Sequence, residues 1–475
     1  MADQSRPDLC VVGAGALGIA LALHARRLGA RVVLVDRGVP EPGDGPQQAL
    51  QLAALQASAA RAHQMRHAAA LGLTNAEPKV GMKAVQERAL DIARVQAPAS
   101  DHDRLTALGI EVVRGPAVFA DPHSLMAGDL QIRPKAIVLA TGGKRLSTDI
   151  PGLDQIDYFT PDSILDNKRK LTHLLVIGGD PAGISLAQAF ARLGAEVTLV
   201  PQGRALPGHD AETVAILIAA LAEEGVRIVD GATVRQILPR AQGTGALIDL
   251  ASGEEEALDV SHILVASEME ADLTDLAPER ARLRPARGAS AALVSGRLGE
   301  TGNRRIRVTG PAAGIGQWQH ALVHGRAVVE ALVLGAPLKP LAHSPRLVMT
   351  EPALAEIGTL ATRKAGAGQG LMRVSLVENA QAHALGSAAG LVKVLTDSRG
   401  RISGVSLVGP GAGEMAAMLA LAMEQDIALA ELARLSLPHP SLMSSLAALA
   451  EMAAAARPVP AWTRRWLAFR RLLPF

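Results

Sequence analysis

DLCVVGAGALGIALALHARRLGARVVLVD, residues 8 to 36, decides how the rest of this chain is read. Leu9 to Val12 is a short apolar run, the pattern of a strand buried on both faces. It breaks at Gly13-Ala14-Gly15-Ala16-Leu17-Gly18 and continues as an apolar helix to Leu28. In that spacing Gly13 permits a tight turn, Gly15 lets backbone approach a pyrophosphate, and Gly18 lets helix pack on strand. A second strand, Arg31 to Val35, ends at Asp36, whose carboxylate can accept hydrogen bonds from a ribose. A glycine triplet alone is a weak signal. Strand, glycines, helix, strand and acid in this order predict a dinucleotide site.

Working outward, Ile110 to Val113 and Ala117 to Phe119 read as strands, and a strand over Ala136–Ala140 leads into Thr141-Gly142-Gly143. At Leu174 the opening pattern returns as LLVIGGDPAGISLAQAFARLGAEVTLV, again with Arg-Leu-Gly-Ala before its second strand. From about Pro337, strands (Arg373–Leu376, Gly390–Thr396, Ile402–Val408) alternate with helices and Gly-Pro turns, an α+β pattern. The expected fold class is α/β, with two Rossmann-like nucleotide-binding domains and a C-terminal α+β domain. The boundaries fall at 1–150, 151–267, 268–335 (a return to the first domain), 336–456 and a tail over 457–475.

Composition narrows the function. Lys and Arg total 48 against 46 Asp and Glu, so no global field recruits nucleic acid. One cysteine, Cys10, excludes an intramolecular disulfide or a cysteine metal cluster, and inside the first strand it reads as a small buried hydrophobe. The N-terminus lacks an apolar signal core, and no uncharged apolar run approaches the ~18 residues that span a bilayer. A cytoplasmic protein is expected. His63 and His67 lie four apart on an Ala-rich helix over about Gln47 to Leu71, but with no third ligand nearby they read as a solvated face, and no metal is expected.

Together these residues resemble the pyridine nucleotide-disulfide oxidoreductases, specifically the dihydrolipoamide dehydrogenase and mercuric reductase group. The resemblance spans nearly the whole chain. Besides the two βαβ units it takes in Ala140-Thr141-Gly142, Ile150-Pro151-Gly152-Leu153, Thr350-Glu351-Pro352, Gly390-Leu391-Val392-Lys393, Val408-Gly409-Pro410 and His439-Pro440-Ser441. It implies an FAD-type domain, an inserted NAD-type domain and a dimerisation domain, hence a homodimer. The implied FAD contacts are Gly13, Gly15, Gly18, Asp36, Thr141, Gly142 and Gly310.

The family passes electrons from NAD(P)H through FAD to a redox disulfide, and this chain departs from it at most of these stations, while Gly13, Gly15, Gly18 and Asp36 are intact. Pro46-Gln47-Gln48 matches the tail of the family's cysteine loop, but the loop before it is shorter and has no cysteine, so dithiol exchange has no nucleophile. Gln48 stands for the lysine beside the flavin, and Ser185 for its partner glutamate. In the second glycine motif Gly178 and Gly183 remain, but Asp180 takes the middle position and Pro201 replaces the ribose-binding acid. Asp180-Pro181 is an N-cap and N1 pair, so its carboxylate can take the helix-terminal N–H groups that a phosphate would need. NAD(P) binding is not expected. Gly310-Pro311 replaces the Gly-Asp that fixes the ribityl and phosphate portion, and Ala266-Ser267-Glu268 replaces a later Ala-Thr-Gly. The first site therefore suits FAD, or an ADP-type ligand in its place.

His439 matches the family's catalytic histidine, but its orienting glutamate is Ser444, which favours a packed interface histidine. His320 and His324 are expected near the flavin face, with a ligand role the weaker reading. The tail, from Trp462 to Phe475, sets Trp462, Trp466, Phe469 and Leu473 at helical spacing among arginines. This is the pattern of a membrane-surface helix, placing the protein at the inner membrane surface, or of a tail packed on the partner subunit. The sequence thus reads as an FAD-binding flavoprotein, an oxidoreductase if it is an enzyme, that uses no redox disulfide and takes electrons from a protein redox partner or an unusual donor. The alternative is a non-catalytic homodimeric scaffold or regulatory protein, a pseudoenzyme.

Overall fold

Val11, Val33, Leu34 and Val138 are fully buried, as strands covered on both faces must be. They belong to a five-stranded parallel sheet with Leu9–Val12 at its centre. On one side lie Val32–Asp36 and then Ile110–Arg114, and on the other Ala136–Leu139 and then Ile306–Val308. The helices Ala16–Arg27 and Trp318–Leu334 pack together over one face through Leu17, Leu21, Ala321 and Val328. The computed structural model describes residues 4–38, 45–95, 102–146, 148–240, 243–267, 269–286, 292–335, 343–358, 360, 370–456 and 461–471. Three sequence features fall partly outside them: the shortened loop before Pro46, the Ala266-Ser267-Glu268 run and the tail over 457–475.

The second βαβ unit repeats the plan. His173–Ile177 is flanked by Glu196–Val200 and Arg227–Ile228 on one side and by His262–Val265 on the other, all parallel. A three-stranded antiparallel sheet, Thr233–Pro239, Thr244–Asp249 and Glu255–Val260, shares a core with it through Ile177, Ile237 and Ile248. The helix expected over 47–71 runs over Pro46–Arg66 and then tightens into a 3-10 turn at Ala68–Leu71, closed by Gly72 at φ +78°. Glycine adopts that left-handed conformation without steric cost.

The chain packs as two units, 1–207 with 221–342, and 208–220 with 343–475. The second is built on an antiparallel sheet in the order Arg346–Val348, Ala353–Gly358, Ile402–Gly409, Leu391–Thr396, Gly370–Ser375, with Ala412–Glu424 and Ser444–Ala455 among its helices. Residues 208–220 join it through charge. The Lys393 ammonium, 8 % exposed, lies 2.7 Å from Asp210 and 3.0 Å from Glu212. Burial opposes that charge, but the two acids outweigh it and hold the ammonium above its usual pKa.

Candidate functional site: two nucleotide crevices, one open and one covered

In both parallel sheets the chain leaves the central strand in one direction and later returns to its other side. Ligands bind beyond the carboxyl ends of the strands at such a switch point. In the first sheet this point holds a cavity of about 380 Å³, lined among others by Gly13, Gly15, Asp36, Thr141 and Gly142. A side chain at Gly13 would stand 2.2 Å from the Ala140 carbonyl, and one at Gly18 would stand 1.8 Å from the Gly13 carbonyl. The glycine turn is therefore required by packing. The helix that starts after Gly15 has glycine at its N-cap and no acid in its first turn. A helix N-terminus facing a cavity suits a phosphate.

Asp36 is held from two directions. Its Oδ1 accepts from the Gly38 N–H at 2.8 Å, and its Oδ2 lies 2.8 Å from His102 Nε2. Arg114, which sits opposite Asp36 on the neighbouring strand, donates to His102 Nδ1 at 3.0 and 3.2 Å. Guanidinium has only donors, so Nδ1 is the acceptor and the ring proton sits on Nε2, pointing at Asp36. Asp272, also in the wall, forms an ion pair with Arg37. Burial opposes its ionisation, but Arg37 and two hydrogen bonds from Thr274 keep the carboxyl below its usual range. Thr141 Oγ1 is buried with no hydrogen-bond partner, a polar atom left for a ligand. These groups fit the adenosine diphosphate half of FAD. Sequence reasoning missed His102, Arg114, Arg37 and Asp272 because no local pattern links them to the fingerprint.

Not every expected contact lines this cavity. Gly310, at φ +64°, packs against Leu17, where a side chain would come within 2.8 Å of Cδ2. Gln48 Oε1 is buried without a partner. His324 is committed to structure: its Nε2 donates to the Arg297 carbonyl at 3.2 Å and its Nδ1 lies 2.9 Å from Thr309 Oγ1. Burial lowers the pKa of both His320 and His324. His439 is exposed in the second unit. Cys10 is fully buried, and burial pushes its thiol far above the usual range.

The second crevice differs. Gly178 reproduces the turn, with a would-be side chain 2.0 Å from the Ala266 carbonyl. Asp180 is the N-cap of the helix Pro181–Arg192, and its Oδ1 accepts from the Gly183 N–H at 2.7 Å, as the Asp-Pro pair predicted. Beyond Val200, residues 201–206 fold back over the glycines. The Leu206 N–H donates to the Gly179 carbonyl at 2.8 Å, and Leu206 itself is 2 % exposed. A side chain on Gly179 would meet Pro201 Cβ at 2.9 Å and Ala205 Cα at 3.1 Å. The loop is pinned again where Ala205 N–H donates to Asp230 and where Gln202 Oε1 accepts from the Val234 N–H. Gln202 and Leu206 both take positive φ, which lets the chain turn back on itself. Its own carboxylate takes a helix-terminal N–H, and its own loop packs on the glycine turn.

Residues 7–325 match the model of the pyridine nucleotide-disulphide oxidoreductases, and residues 344–450 match that family's dimerisation domain. The mercuric reductase of Streptomyces lividans is 28% identical over 457 residues, covering 92% of this chain and 94% of its own. The dihydrolipoyl dehydrogenase of Thermus scotoductus is 27% identical over 457 residues, covering 94% and 96%. Among solved structures, the Cu(II) complex of the HOCl-induced flavoprotein disulfide reductase RclA of Escherichia coli superposes with a TM-score of 0.80 at 22% identity. That match covers 94% of this chain and 99% of RclA, and it shows a shared fold.

Proposed function

Because the chain belongs to the pyridine nucleotide-disulphide oxidoreductase family, we propose that it is an FAD-binding flavoprotein working without a dithiol and without NAD(P)H. The observation that carries this reading is the contrast between the two switch points: a cavity lined by the glycine turn, Asp36 and Thr141 in the first, a self-capped helix under a folded loop in the second. In the first crevice the Gly13–Gly15 backbone and the helix N-terminus would hold the pyrophosphate. Asp36, oriented by His102 and Gly38, would hold the ribose, and Thr141 and Gly142 would close the wall. Bound FAD supplies reversible two-electron exchange. Electrons then come from a protein redox partner or a donor that is not a nicotinamide. Cys10 takes no part, since burial keeps it a neutral thiol. The protein works as a cytoplasmic homodimer through its dimerisation domain.

The absorbance spectrum of the purified protein tests this reading. Flavin bands are expected, together with no bleaching on anaerobic addition of NADH or NADPH. Bleaching at catalytic rates (about 1 per second or faster) would overturn the nicotinamide part. A colourless protein whose melting temperature ignores both FAD and ADP would select the second reading, a non-catalytic homodimeric scaffold. That reading draws its support from the covered second crevice and from Pro311 at the ribityl position.

A further inference from the structure

The last 19 residues hold five arginines and no acid, in a chain whose net charge is +2. The other 456 residues therefore sum to −3. Within that tail Ala461–Arg470 forms a helix. Trp462, Trp466, Leu467 and Phe469 are 71, 50, 43 and 60 % exposed, and among the residues of this helix whose burial is described only Thr463 is partly covered. Trp462, Trp466 and Phe469 follow i, i+4, i+7 and so line one face. Arg465 and Arg470 flank that stripe, with the Arg470 guanidinium stacked 5.1 Å from the Trp466 ring centre. Two of the chain's three tryptophans are here. The expected Leu473 and Phe475 lie outside the described residues.

We propose that this helix lies in the plane of an anionic lipid surface, with its aromatic stripe in the headgroup region and Arg464, Arg465, Arg470 and Arg471 against lipid phosphates. Charge decides between the candidate partners. A cationic helix with no acid is complementary to a uniformly anionic surface, whereas protein interfaces deplete charge at their cores. A second copy of the chain brings only a small excess of acid spread over 456 residues. Indole rings also favour the membrane–water boundary, with an apolar body and a polar N–H. Ten residues are too few to cross a bilayer, and no helix among the described residues is long and apolar enough to do so. The attachment is peripheral and salt-sensitive. It does not depend on whether flavin is bound.

The test uses the full-length chain with vesicles of pure phosphatidylcholine and of an equimolar phosphatidylcholine–phosphatidylglycerol mixture, at low and high salt. Wild type is expected to co-sediment only with the anionic vesicles and only at low salt, with a blue shift of tryptophan emission. Arg465→Gln combined with Arg470→Gln should weaken binding roughly 25-fold, from about fivefold per arginine. Trp462→Ala combined with Trp466→Ala should remove binding while molecular mass and circular dichroism stay unchanged. Equal sedimentation with both vesicle types, or of wild type and the arginine variant, would overturn the proposal. So would variants whose mass by light scattering falls while vesicle binding is retained, which would make the helix a contact between copies.

Discussion

Asp36 is where the chemistry of the first crevice concentrates, and its readiness is set by a neighbour that the fingerprint does not name. His102 donates to it while Arg114 holds the imidazole in the required tautomer. His102→Ala should free the carboxylate to rotate and weaken FAD binding by about tenfold, the scale of a hydrogen bond to a charged group. His102→Gln, which keeps a donor, should recover part of the loss. Flavin fluorescence titration of the deflavinated protein measures both, and identical affinities for wild type and His102→Ala would remove His102 from the site. Asp180 plays the opposite part in the second crevice. Its cap bond to Gly183 should make Asp180→Ala less stable by about 0.5–2 kcal/mol in urea unfolding. Asp180→Gly combined with Pro201→Glu removes the charge and restores an acceptor for a ribose, so it should lose stability while admitting NADH more readily than wild type. If Asp180→Gly is as stable as wild type, the self-capped helix is the wrong account of this site.

At the scale of elements, the 201–206 loop and the glycine turn of the second βαβ unit act as one packed piece. Gly179 has no room for a side chain because Pro201 and Ala205 lie against it. Gly179→Ala should therefore cost about 1–3 kcal/mol through overpacking. It should leave NADH binding undetectable, since Asp180 still holds the helix N-terminus. An unchanged urea midpoint would show that the loop does not press on the turn in solution. In the first crevice the glycine turn instead lines a cavity, and the helix follows a glycine N-cap. Two elements with the same strand–turn–helix pattern thus differ in what packs against the glycine turn.

For the whole molecule, stability should depend on pH in a stated direction. Burial holds the pKa of His320 and His324 below the imidazole reference, so between the folded and unfolded values (near 6.5 in the unfolded chain) the unfolded chain binds more protons than the native one. Stability is then fully present above that range and lost as pH falls through it. Asp272, held below its usual range by Arg37 and Thr274, adds a second loss in more acidic solution. Urea unfolding from about pH 7 to pH 5 should show falling stability, and His324→Gln should flatten that slope. A slope unchanged in the variant would remove His324 from the account.

The sequence by itself determined the two βαβ repeats, the family resemblance and the cap at Asp180. Each rests on neighbours within a few positions: glycine spacing, helix and strand periodicity, and an Asp-Pro pair at a helix start. Only the tertiary structure decided what packs around each glycine turn. Arg37 and Asp272 are 235 positions apart, and Asp36 meets Arg114 only because their strands pair in register. The cover over Gly179 likewise depends on where residues 201–206 fold after Val200, pinned by Asp230 and Val234. Local rules govern the turn that a glycine permits. Whether a ligand or the chain itself occupies the space above that turn is a matter of packing between distant segments, and no periodicity encodes it.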